Sequence, residues 1–106
     1  MATIFTNAIS SSVGTTEVIS FTATDKSMII GGNITNLLTT SVPINIILRR
    51  GITDTYLQKN KRIEAGEAFD VLKGAKLVLV AGDKLVISSG MAASIDAVFS
   101  ILQGVA

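Results

Sequence analysis

The chain has 106 residues, a formal net charge of +1, and neither cysteine nor histidine. These values exclude disulfides, thiolate nucleophiles, imidazole-based catalytic triads and the usual zinc sites. A charge so close to neutral gives no electrostatic reason to expect nucleic acid or a membrane surface as partner. Charged residues make up only 16% of the chain, against about 25% in ordinary soluble domains. We therefore expect other subunits to cover part of its surface.

The length predicts one domain whose core is large enough to fold without metal or disulfide. The first residues lack the basic segment and apolar stretch of a secretory signal, and no run of about 20 apolar residues could cross a membrane. We expect neither a leader nor a membrane anchor.

Short segments in which apolar and polar residues alternate, rich in β-branched side chains, follow one another along the chain and are separated by turn residues. This pattern is typical of β-strands. The predicted strands cover residues 15–23, 28–38, 42–50, 53–58, a short element around 63, 69–72, 76–80, 84–88 and 92–102. The polar residues 59–62 are predicted to form a loop.

Two segments each allow two structural interpretations. Gly31 and Gly32 lie inside the second strand, where paired glycines predict a bulge or a close backbone approach. Residues 92–102 fit a helical stripe as well as alternation, but they lack an N-cap with an acidic first turn, and every preceding segment is β, so we prefer a strand. About eight short strands predict an all-β, single-domain β-sandwich, jelly-roll-like in type, or a small barrel.

Residues 1–14 leave two alternatives open. Serines and a glycine interrupt the alternation, yet Ile4, Phe5 and Ile9 are apolar. These residues would suit an N-terminal arm that docks on a neighbouring subunit, or an edge strand of the β-sandwich domain formed by residues 15–106.

No catalytic, cofactor-binding or metal-binding residues emerge. The five aspartates are scattered without the alternate-residue spacing of a calcium loop, and the glycines do not form a phosphate-binding loop. We expect a protein that is not an enzyme and needs no cofactor.

Five basic residues fall within 14 positions: Arg49, Arg50, Lys59, Lys61 and Arg62. A hairpin would gather them at one end of the domain. They are then either a solvated hairpin end or a surface that docks on acidic protein. Nucleic acid is not expected, because no aromatic residues interleave for base stacking.

The succession of a basic turn, Tyr56-Leu57, the turn from Ile63 to Gly66, the segment from Leu79 to Leu85 and a last strand with Asp96 resembles small all-β virion proteins of tailed bacteriophages. The resemblance covers roughly residues 15–102. It implies a capsid decoration (cement) protein, made in the host cytoplasm and located in the virion, that bridges major capsid subunits as a homotrimer.

Two further functions stay open. The chain could be a neck, tail or baseplate β-module that binds another virion protein. It could also be a glycan- or host-surface-binding β-sandwich, although Tyr56 is then the single aromatic candidate besides phenylalanine. The candidate partner-binding residues are Ile4, Phe5 and Ile9 together with the five basic residues.

Overall fold

A computed structural model describes residues 4–72 and 76–104; residues 1–3 of the predicted N-terminal segment and the last two residues lie outside these ranges. The described residues form nine strands and no helix. The strands are β1 (Ile4–Val13), β2 (Val18–Thr22), β3 (Ser27–Asn36), β4 (Val42–Arg50), β5 (Thr53–Ile63), β6 (Ala68–Asp70), β7 (Leu77–Leu79), β8 (Lys84–Ser89) and β9 (Ile95–Gln103). This part of the chain accordingly holds no helix of the length and hydropathy that a membrane crossing requires.

The strands form two antiparallel sheets. The first has the order β1-β9-β3, and β6 and β7 pair with different parts of the remaining edge of β3. The second has the order β2-β8-β4-β5. If β6 and β7 count as one interrupted strand, the result is a jelly roll, with eight strands in two four-stranded sheets. The predicted all-β sandwich of jelly-roll type is confirmed.

The core lies between the sheets and is built by alternation along the central strands. In β9, Ile95, Ala97, Phe99 and Ile101 are buried, and the residues between them face outward. The preference for a strand over a helix in this segment is therefore confirmed. Each of the larger buried side chains contributes about 1.5–3 kcal/mol relative to the exposed state.

The paired glycines serve the backbone in two ways, both anticipated from the sequence. The register between β3 and β9 shifts between Ile29 and Gly31, which marks a bulge. A Cβ atom placed on Gly32 would lie 2.7 Å from Cδ1 of Phe99, so the ring packs directly against the Gly32 backbone.

The second sheet ends in β5, which differs from the prediction of a strand at 53–58 followed by a polar loop. Thr53–Ile63 is one strand of eleven residues opposite the nine of β4. Two register shifts absorb the extra residues, and Asn60 adopts a positive φ of 52° while its N–H donates to Oδ1 of Asn45. The polar residues are tolerated because β5 is an exposed edge strand.

Residues Ile4–Val13, for which an arm and an edge strand were both open, form β1 at the edge of the first sheet. The strand pairs with β9, buries Ala8 and Val13, and brings Ser10 Oγ within 3.0 Å of Ser20 Oγ in β2. This segment is therefore an integral part of the sandwich.

Candidate functional site

The five basic residues do not gather at one end of the domain, contrary to the expectation from their spacing. Arg49 and Arg50 lie beside the turn that joins β4 to β5, whereas Lys61 and Arg62 pair with the beginning of β4 and Lys59 lies in the adjacent register shift. At about 3.3 Å per residue the two groups are roughly 20 Å apart. The separation arises because the hairpin turn follows Arg50 directly and the lysines lie far along the returning strand.

Arg49 and Arg50 make ion pairs within the domain. Arg49 binds both carboxylate oxygens of Asp54, at 2.7 and 3.0 Å, and its Nη2 lies 3.0 Å from Oε1 of Glu17. These bonds raise the pKa of Arg49 and lower the pKa of Asp54. Arg50 binds Asp83 through Nε at 2.9 Å and Nη2 at 2.7 Å. Both guanidinium groups thus tie together elements of the second sheet and its turns.

The carboxylate of Asp83 is buried, with 1% of its side chain exposed, although Arg50 itself is largely exposed. Oδ2 of Asp83 also accepts a hydrogen bond from the N–H of Val80 at 3.0 Å. The hydrogen bonds from Arg50 lower the pKa of Asp83 against the opposing effect of burial, and the Val80 bond adds to the lowering.

Lys59, Lys61 and Arg62 form a basic edge along β5. All three are exposed, and two of them lie over aromatic rings: Lys59 Nζ is 5.2 Å from the centroid of Tyr56, and Lys61 Nζ is 5.1 Å from that of Phe69. Nη1 of Arg62 donates to Oγ of Ser41 at 2.9 Å. The edge presents cations on a bulged strand, an arrangement that hinders strand pairing but permits contact with an acidic surface.

The outer face of the second sheet is covered at its centre, although Ile19 and Tyr56 at its two edges are about half exposed. Ile19, Val86, Ile47 and Tyr56 lie in one row across its four strands. Val86 and Ile47 in the middle of the row are 0% and 2% exposed. The Arg49 bridge reaches from Asp54 in β5 to the segment before β2, and so it spans the outer side of the two central strands.

The outer face of the first sheet is left open. Phe5, Leu102, Met28 and Val78 lie in one row across four strands. Ile9 and Val98 begin a second row, which continues through Asn33 to Asp70 at the other edge of the sheet. Phe5 is 75% exposed and Ile9 is 67% exposed. We call this surface the apolar face, with Phe5, Ile9, Met28, Ile30, Val78, Val98 and Leu102 as its members.

The apolar face has little charge, and its central row consists of small or polar residues. Among the outward-facing residues that the structure describes on this sheet, the charged ones are Asp70 and Asp96, near its margins, and Oδ1 of Asp96 accepts a hydrogen bond from the N–H of Ser12. Between the two apolar rows lie Asn7, Ser100 and Gly31.

The predicted apolar residues fall partly on this face. Phe5 and Ile9 belong to it, while Ile4 begins β1 opposite Gln103 and its side chain lies outside what the structure describes. The other members of the face were not among the predicted site residues. The sequence does contain a sign of this face. Met28, Ile29 and Ile30 are consecutive apolar residues, and such a run is typical of a strand that is covered on both of its faces.

The geometry suits contact between proteins. A hollow of about 280 Å³ beside Phe5, lined also by Asn7, Ile30 and Ser100, is open to solvent along the face. In the described ranges no three acidic side chains cluster as a metal ion would need. What these ranges offer to a partner is thus the apolar face on one sheet and the basic edge on the other.

Neither a scan against protein-family models nor a search of curated proteins finds a match. Solved structures do share the fold. A protein of Bacillus endospore appendages, described as disulfide-linked pili, superposes with a TM-score of 0.58 at 15% identity, over 99% of this chain and 88% of that one. The present chain has no cysteine.

A protein of the T13 particle of infectious bursal disease virus superposes with a TM-score of 0.57 at 14% identity, over 95% of this chain. This chain spans 31% of that protein's length. A pentameric capsid protein from metagenomic phage sequences gives a TM-score of 0.46 at 20% identity, over 95% of this chain and 59% of that one, which is too loose a match to carry an argument. At these identities the likeness shows the fold alone.

Proposed function

We propose that this chain is a structural protein of a virion, and specifically a capsid decoration (cement) protein of a tailed bacteriophage that bridges major capsid subunits as a homo-oligomer. The observation that carries the proposal is the open apolar face. We assign the chain no catalytic activity, because the proposed role requires contact area across a seam and no bond making or breaking.

The extent of the face supports a role in assembly. The whole outer side of the first sheet, polar positions included, measures roughly 30 by 19 Å, or roughly 600 Å² in projection, and the two apolar rows, four residues apart along β9, bound roughly 250 Å² of it. Exposed apolar patches of a few hundred Å² with polar residues around them often mark surfaces that bind other proteins. A standard protein interface takes about 800 Å² of accessible surface from each partner, which such a face can supply.

A bridging protein needs at least two contact surfaces, and the fold provides two on different sheets. The apolar face lies on the first sheet, and the basic edge of Lys59, Lys61 and Arg62 lies on β5 of the second. In a homo-oligomer, for which the phage resemblance points to a trimer, each surface is repeated, so that weak contacts add by multivalency. The basic edge would meet an acidic surface of the major capsid protein.

The same fold in a protein of the infectious bursal disease virus particle is compatible with this role at the level of architecture. It does not single out decoration from other virion parts. The low share of charged residues, 16%, supports a chain whose surface is partly covered by other subunits.

The test is cosedimentation of the purified protein with undecorated capsid shells of the phage. We expect the protein to bind the shells, to raise the temperature at which they rupture, and to be displaced by added salt. A variant with Lys59→Glu, Lys61→Glu and Arg62→Glu should bind more weakly, whereas Lys26→Glu, a charge reversal in the turn between β2 and β3, should bind like the wild type. A protein that neither binds nor protects the shells would contradict the decoration role.

A further inference from the structure

We infer that the apolar face is the surface through which copies of this chain bind one another. The inference deepens the proposed function, because it names the contact that holds the proposed homo-oligomer together. It leaves the basic edge as the surface for the capsid.

Charge favours a second copy as the occupant. When two identical surfaces bind each other, a charged residue near the centre of one lies close to the same charged residue of the other, and the two repel. A surface for self-association is therefore most favourable when its centre carries no charge. The apolar face meets this condition, since Asp70 and Asp96 lie near its margins. The outer face of the second sheet carries more charge, since Arg49 with its partners Asp54 and Glu17 lies on it and Lys84 is directly opposite Arg49. A net charge of +1 also means that two copies repel each other little.

Shape favours sheet-on-sheet packing. Two β-sheets pack face to face at about 10 Å when their facing side chains interdigitate. The two apolar rows, one through Phe5 and Leu102 and the other through Ile9 and Val98, flank a central row of smaller side chains. This relief of ridges and a trough suits a second copy of the same relief.

Gly31 occupies the middle of the trough, opposite Ser100. A Cβ atom on its neighbour Gly32 would meet Phe99 in the core, whereas a Cβ atom on Gly31 would meet nothing within 4 Å. The missing side chain of Gly31 therefore points out of the face. A large residue at this position would stand in the interface without displacing any contact inside the protomer.

The experiment compares the wild type with Gly31→Arg and Ile52→Arg by size-exclusion chromatography with light scattering over a micromolar concentration series. Ile52 lies in the turn between β4 and β5, away from the face, and is fully exposed. Ile52→Arg thus introduces the same side chain and the same charge at an exposed position off the face. A second variant, Ile9→Glu, places a charge on the face at a side chain that is already mostly exposed. Circular dichroism checks that each variant retains its β structure.

We expect the wild type and Ile52→Arg to have a mass that is a multiple of 11.1 kDa. Gly31→Arg and Ile9→Glu should fall to the monomer mass, with association weakened about 100-fold or more, because the interface would bury an unpaired charge. A monomeric wild type would overturn the inference. An oligomer that survives both substitutions would overturn it as well and would place the contact elsewhere, for example at the uncharged edge of β1.

This result is independent of the virion role. A wild-type monomer that still cosediments with capsid shells would refute self-association through the face and leave decoration standing. An oligomer that is sensitive to Gly31→Arg but is absent from virions would support the inference and refute the proposed function.

Discussion

Replacement of Gly32 by alanine should destabilise the fold, while the same change at Gly31 should not. A Cβ atom at Gly32 would lie 2.7 and 2.9 Å from two carbons of the Phe99 ring and 3.3 Å from Cβ of Val71. Carbon atoms in proteins approach to about 3.5–4.0 Å, so the ring would have to move by roughly 1 Å inside a close-packed core. Such overpacking costs about 1–3 kcal/mol.

Part of this cost is offset, because alanine restricts the unfolded chain and stabilises the native state by about 0.4–1 kcal/mol where no clash arises. The net loss at Gly32 is then about 1–2 kcal/mol, which for a domain of this size lowers Tm by about 4–8 °C. Gly31→Ala meets nothing within 4 Å and should raise Tm by about 2–4 °C.

The assay is thermal unfolding followed by circular dichroism, at equal protomer concentrations because self-association shifts Tm. A double-mutant cycle adds Phe99→Leu, a smaller side chain that relieves the contact, so that Gly32→Ala should cost less in that background than in the wild type. If Gly31→Ala and Gly32→Ala changed Tm alike, or if Phe99→Leu left the cost unchanged, the close approach of Gly32 to the ring would be refuted.

Three further outcomes follow from buried polar groups and from β1. Asp83→Ala removes the carboxylate that Arg50 binds and should cost about 2 kcal/mol in urea unfolding. Because the folded pKa of Asp83 is lowered, its stabilisation is present above the usual value of 3.8 and is lost as pH falls through the folded pKa, so Asp83→Ala should show a smaller acid-induced loss than the wild type. Asn36→Asp should cost at least about 3 kcal/mol near neutral pH, because its buried amide nitrogen donates to three carbonyl oxygens that a carboxylate would repel, and a urea-unfolding midpoint like the wild type's would contradict this. Deletion of residues 2–12 should abolish the β signal in circular dichroism, because it removes one of the two strands that pair with β9 and the buried side chain of Ala8, whereas a folded truncated protein would favour an independent arm.

The sequence predicts strands best where one face of the strand is buried and the other is not. The alternation over Val42–Arg50 gives the bounds of β4, and that within residues 92–102 identifies β9 as a strand, which the structure places at Ile95–Gln103. In both strands the pattern directly reflects contact with the core. A strand at the centre of a sheet must place apolar residues at its buried positions, so its sequence shows the alternation clearly.

Edge strands are harder to predict, because neither of their faces has to be apolar throughout. The polar residues 59–62 look like a loop, yet they extend β5, since solvent satisfies side chains on an exposed edge. The serines of β1 likewise interrupt the alternation, although the backbone of that strand pairs with β9. Such strands are held by backbone hydrogen bonds, and these leave no pattern in the local sequence of side chains.

The candidate site depends on register, which single residues do not reveal. The sequence identified Phe5 and Ile9 as candidate partner-binding residues, but their neighbours Met28, Val98 and Leu102 come from distant segments that only strand pairing brings together. Arg49 and Lys61 are close in sequence and far apart in space because the turn comes directly after Arg50. Spacing along the chain therefore does not predict which side chains share a surface.

The number of copies of this chain per purified virion tests the proposed role most directly. Quantitative mass spectrometry against the major capsid protein measures it. We expect a copy number of the same order as that of the major capsid protein, distributed over the whole shell. Only a few copies per particle would indicate a neck, tail or baseplate part and contradict the decoration role, and absence from the particle would contradict a virion function altogether.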